Sequence, residues 1–281
     1  MNNPVAKVTG EVVTPEAPAA HLPRGSASTR LLDRPAHAVS PEAVAVLAAH
    51  LFAGADRDIP GVSYAVAYRL GEVQSGGDIV DVYEFDNGAV ALSIADISGK
   101  GLQAAVHAAL IKYGLRAYAS HGLTAERAMR AMDRLYLENS TFEHIESFAS
   151  VFLGLVDPNR RTMTYASAGH EPVIIVKPHE PPRALKPTAP IIGVFDDQAH
   201  LFRQETVELS PGTLLVAATD GVTEVRNADG EFFGIERLIR CVERCRDLEP
   251  KKIVDAVVAD IVRFAEAPWQ DDVALLVASF V

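Results

Sequence analysis

Aspartates at the ends of predicted strands are the residues with the clearest chemistry in this sequence. Asp78 begins one strand, Asp96 and Asp220 directly follow apolar strands, and Asp271 or Asp272 precedes the last strand. Turns favour aspartate, so a single case would mean little. If the strands bring four of them together, mutual repulsion raises their pKa values or destabilises the fold unless cations lie between them. We therefore weigh a cation site against ordinary turn chemistry.

The type of ligand limits the type of ion. Oxygen ligands alone favour hard ions, Mg²⁺ or Mn²⁺, over zinc. Two such ions about 4 Å apart would deprotonate a water molecule and hold phosphate oxygens in line for attack. The aspartates thus predict a two-ion site that acts on phosphate.

The stretch around Asp96 suggests how such a site is built. An apolar run over 89–94 leads to Asp96, and a turn with glycines on both sides of Lys100 opens a helix over 101–120. Glycine lets an ion or ligand approach the backbone closely. The turn lacks the spacing of a phosphate-binding P-loop, so a nucleotide site is not expected. Lys100 is a candidate for attracting the substrate, with a solvated lysine as the alternative.

Composition and charge exclude several classes of protein. The formal net charge of −11, without a Lys/Arg-rich run, argues against nucleic-acid binding. Cys241 and Cys245 have no further Cys or His nearby, which indicates reduced thiols rather than a disulfide or zinc site. The N-terminus lacks a signal-peptide pattern, and no apolar run approaches the ~20 residues that a membrane span needs. We expect a cytoplasmic protein that binds no membrane.

The chain divides into three predicted parts. Residues 1–40 are rich in Pro, Ala, Ser and Thr without periodicity, which predicts a flexible tail. A short amphipathic helix over 41–53 follows, with a linker to 59, and it packs either on the domain or on a second copy of the chain. Residues 60–281 contain many strand patterns with helices inserted as pairs. This order predicts an α+β domain of packed antiparallel sheets with helices outside.

Five motifs occur in order within residues 60–281. They are Gly76-Gly77-Asp78 with Asp81, Ala95 to Gly101, Tyr165 to Pro172, Ala218 to Glu224, and Asp271 to Leu276. Together they resemble the motif set of the PPM metal-dependent serine/threonine phosphatases. The bacterial branch typified by the sporulation protein E phosphatase and the stress-response phosphatases of sigma-factor regulators is the most similar. Gly-Gly-Asp alone would be weak, but five ordered motifs are specific.

The resemblance implies a fold, a reaction and a set of ligands. The fold is an αββα four-layer sandwich, in which two antiparallel β-sheets are flanked by helix pairs. The reaction is hydrolysis of phosphoserine or phosphothreonine by a metal-activated water, without a phosphoenzyme. Asp96 would bridge two ions, and Asp78, Asp96 and Asp220 would be catalytic. The implied metal ligands are Asp78, Asp96, the carbonyl of Ile97, Asp220 and Asp271, with Asp272 ranked lower.

The sequence departs from the family pattern at two informative positions. Ala274 stands where the last motif usually has threonine or serine, which we expect to alter support of the ligands rather than the ligands themselves. Many eukaryotic relatives carry a histidine after the bridging aspartate, where this chain has Ile97-Ser98. The group that protonates the leaving serine is therefore unassigned.

Three further features have a functional and a structural interpretation. Arg69 is a candidate contact of the substrate phosphate or an ordinary exposed strand-end arginine. His170 suits acid/base chemistry near neutral pH, but its motif favours a structural hydrogen bond away from the metals. The loop over 178–190 is either a flap that selects the substrate or a plain connection.

Our leading hypothesis is a phosphoprotein phosphatase that depends on two Mn²⁺ or Mg²⁺ ions. Its partner would be a phosphorylated regulatory protein such as an anti-sigma-factor antagonist, a substrate class that only the resemblance supplies. The helix over 41–53 is a candidate homodimer contact. The alternatives are a non-catalytic binding module with the PPM fold and a hydrolase of small phosphoesters.

Overall fold

The structure is a computed structural model that describes residues 59–69, 76–99, 101–143, 147–195, 197–265 and 271–281. The tail predicted over 1–40 and the helix predicted over 41–53 lie outside these ranges. The domain limit at residue 60 and dimerisation through that helix therefore stay predictions. None of the helices in the described ranges has the length and apolar character to cross a membrane.

The first half of the domain contains five strands and a helix pair. In chain order these are β1 (Val62–Arg69), β2 (Ile79–Glu84), β3 (Val90–Ile97), α1 (Gly101–Ser120), α2 (Ala125–Glu143), β4 (Ala149–Asp157) and β5 (Thr162–Ala168). The tight turn Asp86-Asn87-Gly88 joins β2 to β3, with Gly88 at a φ of 79° that favours glycine. Thr124 caps α2, since its Oγ1 accepts a hydrogen bond of 3.4 Å from the Arg127 backbone N–H.

The second half adds five shorter or later strands and the remaining helices. They are β6 (Ile174–Val176), β7 (Arg183–Ala184), a 3₁₀ turn (Ala199–Leu201), β8 (Glu205–Glu208), β9 (Leu214–Ala218), α3 (Asp220–Thr223), α4 (Gly234–Cys245), α5 (Pro250–Phe264) and β10 (Val273–Phe280). The sequence did not indicate α3, because four residues are too few to show a helical period.

The ten strands form two antiparallel sheets of five strands each. The first sheet has the order β1-β10-β9-β6-β7, and the second has the order β2-β3-β4-β5-β8. In the first sheet β10 pairs with both β1 and β9, and in the second β3 pairs with both β2 and β4. The chain thus enters each sheet more than once, and residues distant in sequence meet at the sheet ends.

Three layers of apolar side chains hold the sheets and helices together. Ile111 of α1 and Met129 of α2 pack against the outer face of the second sheet. Leu92 and Leu276 belong to the layer between the sheets. Ile253 of α5 packs, with α4, against the outer face of the first sheet. The predicted α+β class and αββα sandwich are confirmed by this layering.

Candidate metal centre

Strand alternation directs a set of polar side chains into the space between the two sheets. Successive side chains of a strand point to opposite faces. Asp78 therefore shares the face of Val80 and Val82, which line the layer between the sheets. By the same rule Asp96 follows Ile94 on the inner face of the second sheet. The two carboxylates thus extend the inner layer just where its apolar part ends.

The first sheet contributes to the same space by the same rule. Asp272 precedes Ala274 and Leu276 on the inner face, and Thr219 follows Ala217 on it. Antiparallel pairing also brings the ends together: Ile79 pairs with Ala95, and Leu275 with Ala218. The start of one strand therefore lies beside the end of its neighbour at one edge of the sandwich.

These side chains surround a cavity of about 190 Å³. Its lining consists of Gly77, Asp78, Asp96, Ile97, Ser98, Gly99, Asp271 and Asp272. Asp78 and Asp272 are buried, with 4% and 2% of their surface exposed, whereas Asp271 is exposed. No basic side chain belongs to this lining among the described residues. The cavity is therefore strongly acidic.

Specific hydrogen bonds fix the two buried carboxylates. The Thr219 hydroxyl donates to Oδ2 of Asp78 over 2.6 Å, and the Gly77 backbone N–H donates to Oδ2 of Asp272 over 3.1 Å. Asp271 Oδ1 accepts a 2.9 Å bond from the backbone N–H of Asp272. The Thr219 hydroxyl also accepts the Ala274 backbone N–H over 3.1 Å, which ties β9 to β10 at this point.

Burial and mutual repulsion raise the pKa values of the carboxyl groups. Burial raises the pKa of Asp96 to about 7, and the charges of Asp220, Asp271 and Asp272 contribute in the same direction. Burial also raises the pKa of Asp78 well above its usual range, with Asp96 as the next cause. The cluster would gain stability from a cation, because each group destabilises the charged form of its neighbours.

Asp220 and Tyr68 complete the surroundings of the cavity. Asp220 is the first residue of α3, and burial together with the charges of Asp271 and Glu224 raises its pKa. Burial beside Asp272 and Asp78 raises the pKa of Tyr68, so its hydroxyl stays protonated and can donate a hydrogen bond.

Two glycines allow the backbone to close tightly around the site. A Cβ at Gly77 would lie 2.5 Å from the carbonyl oxygen of Ile97, and one at Gly221 would lie 1.7 Å from the carbonyl oxygen of Asp272. Contacts this short do not occur for real side chains, so both positions require glycine for space. Gly77 thus keeps the Ile97 carbonyl close to the cavity wall.

A hydrogen-bond network behind the cavity holds the turn after Ile97. The Ser98 backbone N–H donates to the Phe148 carbonyl over 2.9 Å, and Phe148 N–H donates to Ser98 Oγ over 2.8 Å. Ser147 Oγ lies 3.4 Å from the Ser98 carbonyl and 2.6 Å from the hydroxyl of Tyr136, a fully buried residue of α2. The second helix of the pair, α2, therefore supports the turn that follows Ile97.

The donor set fits a hard divalent cation in its chemistry. Buried carboxylate oxygens and a backbone carbonyl are the ligands that Mg²⁺ and Mn²⁺ prefer. Within the described ranges, no group of three or more His, Cys, Asp or Glu side chains is already arranged to hold an ion. The carboxylates thus converge on one cavity without forming a closed coordination shell.

The structure brings most of the predicted site residues to this edge. Asp78, Asp96, Ile97 and Asp271 line the cavity, and Asp220 lies close enough to raise the pKa of Asp96. Their roles as ligands and catalytic groups stay predictions.

Of the two predicted substrate contacts, Arg69 and Lys100, the structure describes only Arg69. Arg69 is exposed at the end of β1, opposite Val273 and therefore next to Asp272 in the sheet. Lys100 lies outside the described residues.

Two residues near the cavity, Thr219 and Glu171, received no role from the sequence, and a third, Asp272, was ranked low. Asp272 was ranked below Asp271, but alternation along β10 would have identified it as the inward-facing neighbour. Thr219 could have been found in the same way from β9. Glu171 belongs to the motif from Tyr165 to Pro172 but received no role there, and its charge contributes to the raised pKa of Asp96.

His170 has the surroundings of a structural residue. Its side chain is 6% exposed, and Nδ1 lies 2.9 Å from the carbonyl oxygen of Glu171. Burial lowers its pKa to about 4, so the imidazole is neutral at physiological pH. These surroundings favour the structural interpretation over acid/base chemistry.

Comparison with protein families identifies the chain. The family model described as Stage II sporulation protein E (SpoIIE) matches residues 86–281. The chain belongs to the SpoIIE family. The match includes Asp96, Asp220 and Asp271, and it begins after Asp78. The resemblance to the sporulation and stress-regulator branch of the PPM phosphatases is thereby confirmed.

Individual relatives of this SpoIIE-family chain are distant. Protein IcfG of Synechocystis is 25% identical over 225 residues, covering 71% of this chain and 35% of IcfG. Phosphoserine phosphatase RsbU of Bacillus subtilis is 26% identical over 200 residues, covering 70% of this chain and 58% of RsbU. The chain thus spans less than two thirds of either relative.

Solved structures show the same fold. The crystal structure of the RsbU and RsbW domains of a Mycobacterium tuberculosis protein matches with a TM-score of 0.67 at 22% identity. The match covers 79% of this chain and 60% of that one. The chain therefore shares its fold with this structure.

Proposed function

We propose that this chain is a metal-dependent phosphoprotein phosphatase that hydrolyses phosphoserine or phosphothreonine on a regulatory protein. The observation that carries the proposal is the convergence of Asp78, Asp96, Asp271 and Asp272 on one acidic cavity, with Asp220 beside it. Membership of the SpoIIE family supports it, as does the name of RsbU, a phosphoserine phosphatase.

Two Mg²⁺ or Mn²⁺ ions would be held by side chains from both sheets. The residues available to them are Asp78, Asp96, the Ile97 carbonyl, Asp220 and Asp271, and we add Asp272. When bound, the ions supply the positive charge that a phosphoryl group requires and acidify a water molecule. Asp96 has the central place, because the charges of Asp220, Asp271 and Asp272 all act on it.

The chain's own residues prepare this chemistry in three ways. The Thr219 hydroxyl orients Asp78, and the Gly77 N–H orients Asp272. Both carboxylates are buried, so they are held rigidly and interact strongly with any charge in the cavity. Ser98 Oγ, the hydroxyl side chain of the described lining, already accepts a hydrogen bond from Phe148. This favours water over Ser98 as the nucleophile.

The substrate class follows from the family rather than from the cavity. We propose a phosphorylated anti-sigma-factor antagonist, because the family branch acts on regulators of this kind. A protein substrate predicts faster hydrolysis of a phosphorylated protein or peptide than of a sugar phosphate. The reverse order of rates would favour the small-phosphoester alternative.

The test is phosphate release as a function of Mn²⁺ and Mg²⁺ concentration. Asp96→Asn and Asp220→Asn should each reduce the rate by at least about a thousandfold. Each variant replaces a carboxylate ligand of the ions that would stabilise the transition state with a neutral amide. Asp133→Asn is the matched control: Asp133 is also buried, and its Oδ1 accepts bonds from Gly193 and Gln198 that an amide oxygen can keep.

Two results would contradict the proposal. Full activity in the Asp96 and Asp220 variants would exclude these residues from catalysis. Metal binding by the unchanged protein without turnover of any phosphoprotein would instead favour the non-catalytic binding module.

A further inference from the structure

A groove on the outer helix layer has a charge opposite to that of the whole protein. It measures about 340 Å³, lies between α4 and α5, and is lined by Arg237, Arg240, Arg244 and Arg263 with Asp260 as the acid of the described lining. The chain as a whole has a formal net charge of −11. Four arginines around one groove are therefore a local concentration of positive charge in an acidic molecule.

The arginines are presented on a rigid support. Arg237, Arg240 and Arg244 recur at spacings of three and four, which places them along one side of α4. Leu238, Val242 and Cys245 are buried against the first sheet. The helix is thus fixed by its apolar side while its basic side faces the groove.

Internal ion pairs orient the guanidinium groups but offset only part of their charge. Asp260 accepts a hydrogen bond of 2.6 Å from Arg244 and also pairs with Arg263. Arg237 pairs with Glu231 over 3.3 Å, donates to the carbonyls of Phe232 and Phe233, and lies 4.7 Å from the centroid of the Phe264 ring. Arg244 is 60% exposed and Arg263 is 72% exposed. These side chains remain accessible to an anion.

The spacing of the charges indicates the shape of that anion. Arg237 and Arg244 are seven residues apart, about 10 Å along a helix axis. An extended peptide advances about 3.3 Å per residue, so acidic side chains at alternate positions recur about every 6.6 Å. Two carboxylates of such a chain therefore fit within the span of these arginines, which is longer than a single compact phosphate. Arginine pairs with carboxylates through its planar fork.

We propose that this groove binds an extended acidic segment of a partner protein. Nucleic acid is the less favoured occupant, because its backbone would be repelled by the remaining surface of a chain with net charge −11. The groove is a second binding surface, outside the carboxylate cavity, and it requires no metal. The inference therefore stands or falls independently of the phosphatase activity.

The test measures binding in EDTA at low ionic strength by fluorescence anisotropy. The probe is a fluorescein-labelled peptide in which Glu alternates with Ser. The unchanged protein should bind it saturably, and the double variant Arg240→Glu, Arg263→Glu should bind roughly tenfold more weakly, because two attractions become repulsions. Arg240→Gln, Arg263→Gln provides a milder change with the same direction if the first variant does not fold.

The matched control changes the same charge elsewhere. Arg134 and Arg160 are both 83% exposed, and each pairs with one acid on other parts of the domain. Arg134→Glu, Arg160→Glu should leave peptide affinity within about twofold. Equal loss in both double variants would show a response to net charge alone and overturn the proposal. Unchanged affinity in the groove variants, or equal affinity for a single-stranded DNA oligonucleotide, would overturn it too.

Discussion

Asp78 and Asp81 are both buried and only three residues apart, but their carboxylates have opposite electrostatic surroundings. Asp81 faces the helices, where Lys112 Nζ lies 3.6 Å from its carboxylate and Arg116 forms a further ion pair with it. Asp78 faces the space between the sheets, where its nearest ionisable neighbours include Asp96, Asp272 and Asp220. One carboxylate is surrounded by cations and the other by carboxylates.

The difference separates a carboxylate paired with cations from a carboxylate of the candidate metal centre. α1 supplies permanent charge to Asp81, so the pair contributes to packing. Around Asp78 the protein instead raises pKa values by burial and repulsion, an arrangement that costs stability in the absence of a cation. Strand alternation produces both, because positions three apart lie on opposite faces of β2. The comparison predicts opposite responses to the same chemical change.

Asparagine substitution of Asp81, and of Asp96 in the same cavity as Asp78, tests this comparison most strongly. Asp81→Asn leaves Lys112 and Arg116 without their buried counter-charge, and should lower the free energy of unfolding by about 3 kcal/mol, the lower end for a broken buried pair. We expect a loss at the lower end of that range because Arg116 is 32% exposed, so water can solvate its charge when Asp81 is replaced. Asp96→Asn removes a repelling charge and should raise the free energy of unfolding in EDTA. Urea unfolding measures both, and equal destabilisation would contradict the comparison.

The pH dependence of the metal-free protein should report the same repulsion. Asp96 has an ordinary pKa of 3.8 and a pKa of about 7 in the fold, so the folded state binds its proton more tightly than the unfolded state does. The free energy of unfolding in EDTA should therefore fall as pH rises from about 4 to about 7, and then level off. The pKa of Asp78 is raised as well, so its titration lowers the free energy of unfolding in the same direction of pH.

Two measurements separate this effect from other titrations. Asp96→Asn should reduce the slope between these pH values, and saturating Mg²⁺ should remove it by binding the charged form. A slope unaffected by either change would assign the titration to groups outside the cavity.

Space at the cavity wall gives a smaller, geometric test. Gly77→Ala places a Cβ 2.5 Å from the Ile97 carbonyl oxygen and should cost about 1–3 kcal/mol while weakening Mn²⁺ binding. Gly122→Ala is the control, since that position has a φ of 78° but no atom within 4 Å of an added Cβ. It should cost about 1 kcal/mol through backbone strain and leave metal affinity unchanged. Equal effects on metal affinity would remove the special role of Gly77.

The sequence predicted the parts of this fold that periodicity and motifs encode. The helix over 101–120 has the predicted limits, and the layer order agrees with the family fold. The aspartates around the cavity were predicted at strand ends. What periodicity could not supply was α3, which is too short, and the two-residue strand β7.

Long-range contacts explain the rest of the difference. The hydrogen bond from Thr219 to Asp78 joins residues 141 positions apart, and the one from Gly77 to Asp272 joins residues 195 positions apart. No local pattern encodes such pairs. Alternation from β10 would nevertheless have turned Asp272 inward, so the position of this residue was predictable once the inner face was assigned. Asp271 also lines the cavity although it precedes β10, and alternation does not account for its position.

Two buried tyrosines give the finest test of how the site is supported. Tyr136 and Tyr165 are both almost fully buried with hydrogen-bonded hydroxyls, but Tyr136 contacts Ser147 behind the Ser98 turn and Tyr165 contacts Glu205 at the far side of the second sheet. Replacing either by Phe should cost about 1 kcal/mol of unfolding free energy. Only Tyr136→Phe should also weaken Mn²⁺ binding, measured by calorimetry, because it removes a hydrogen bond that supports the turn directly after the Ile97 carbonyl. Equal metal affinity in both variants would make Tyr136 a packing residue like Tyr165.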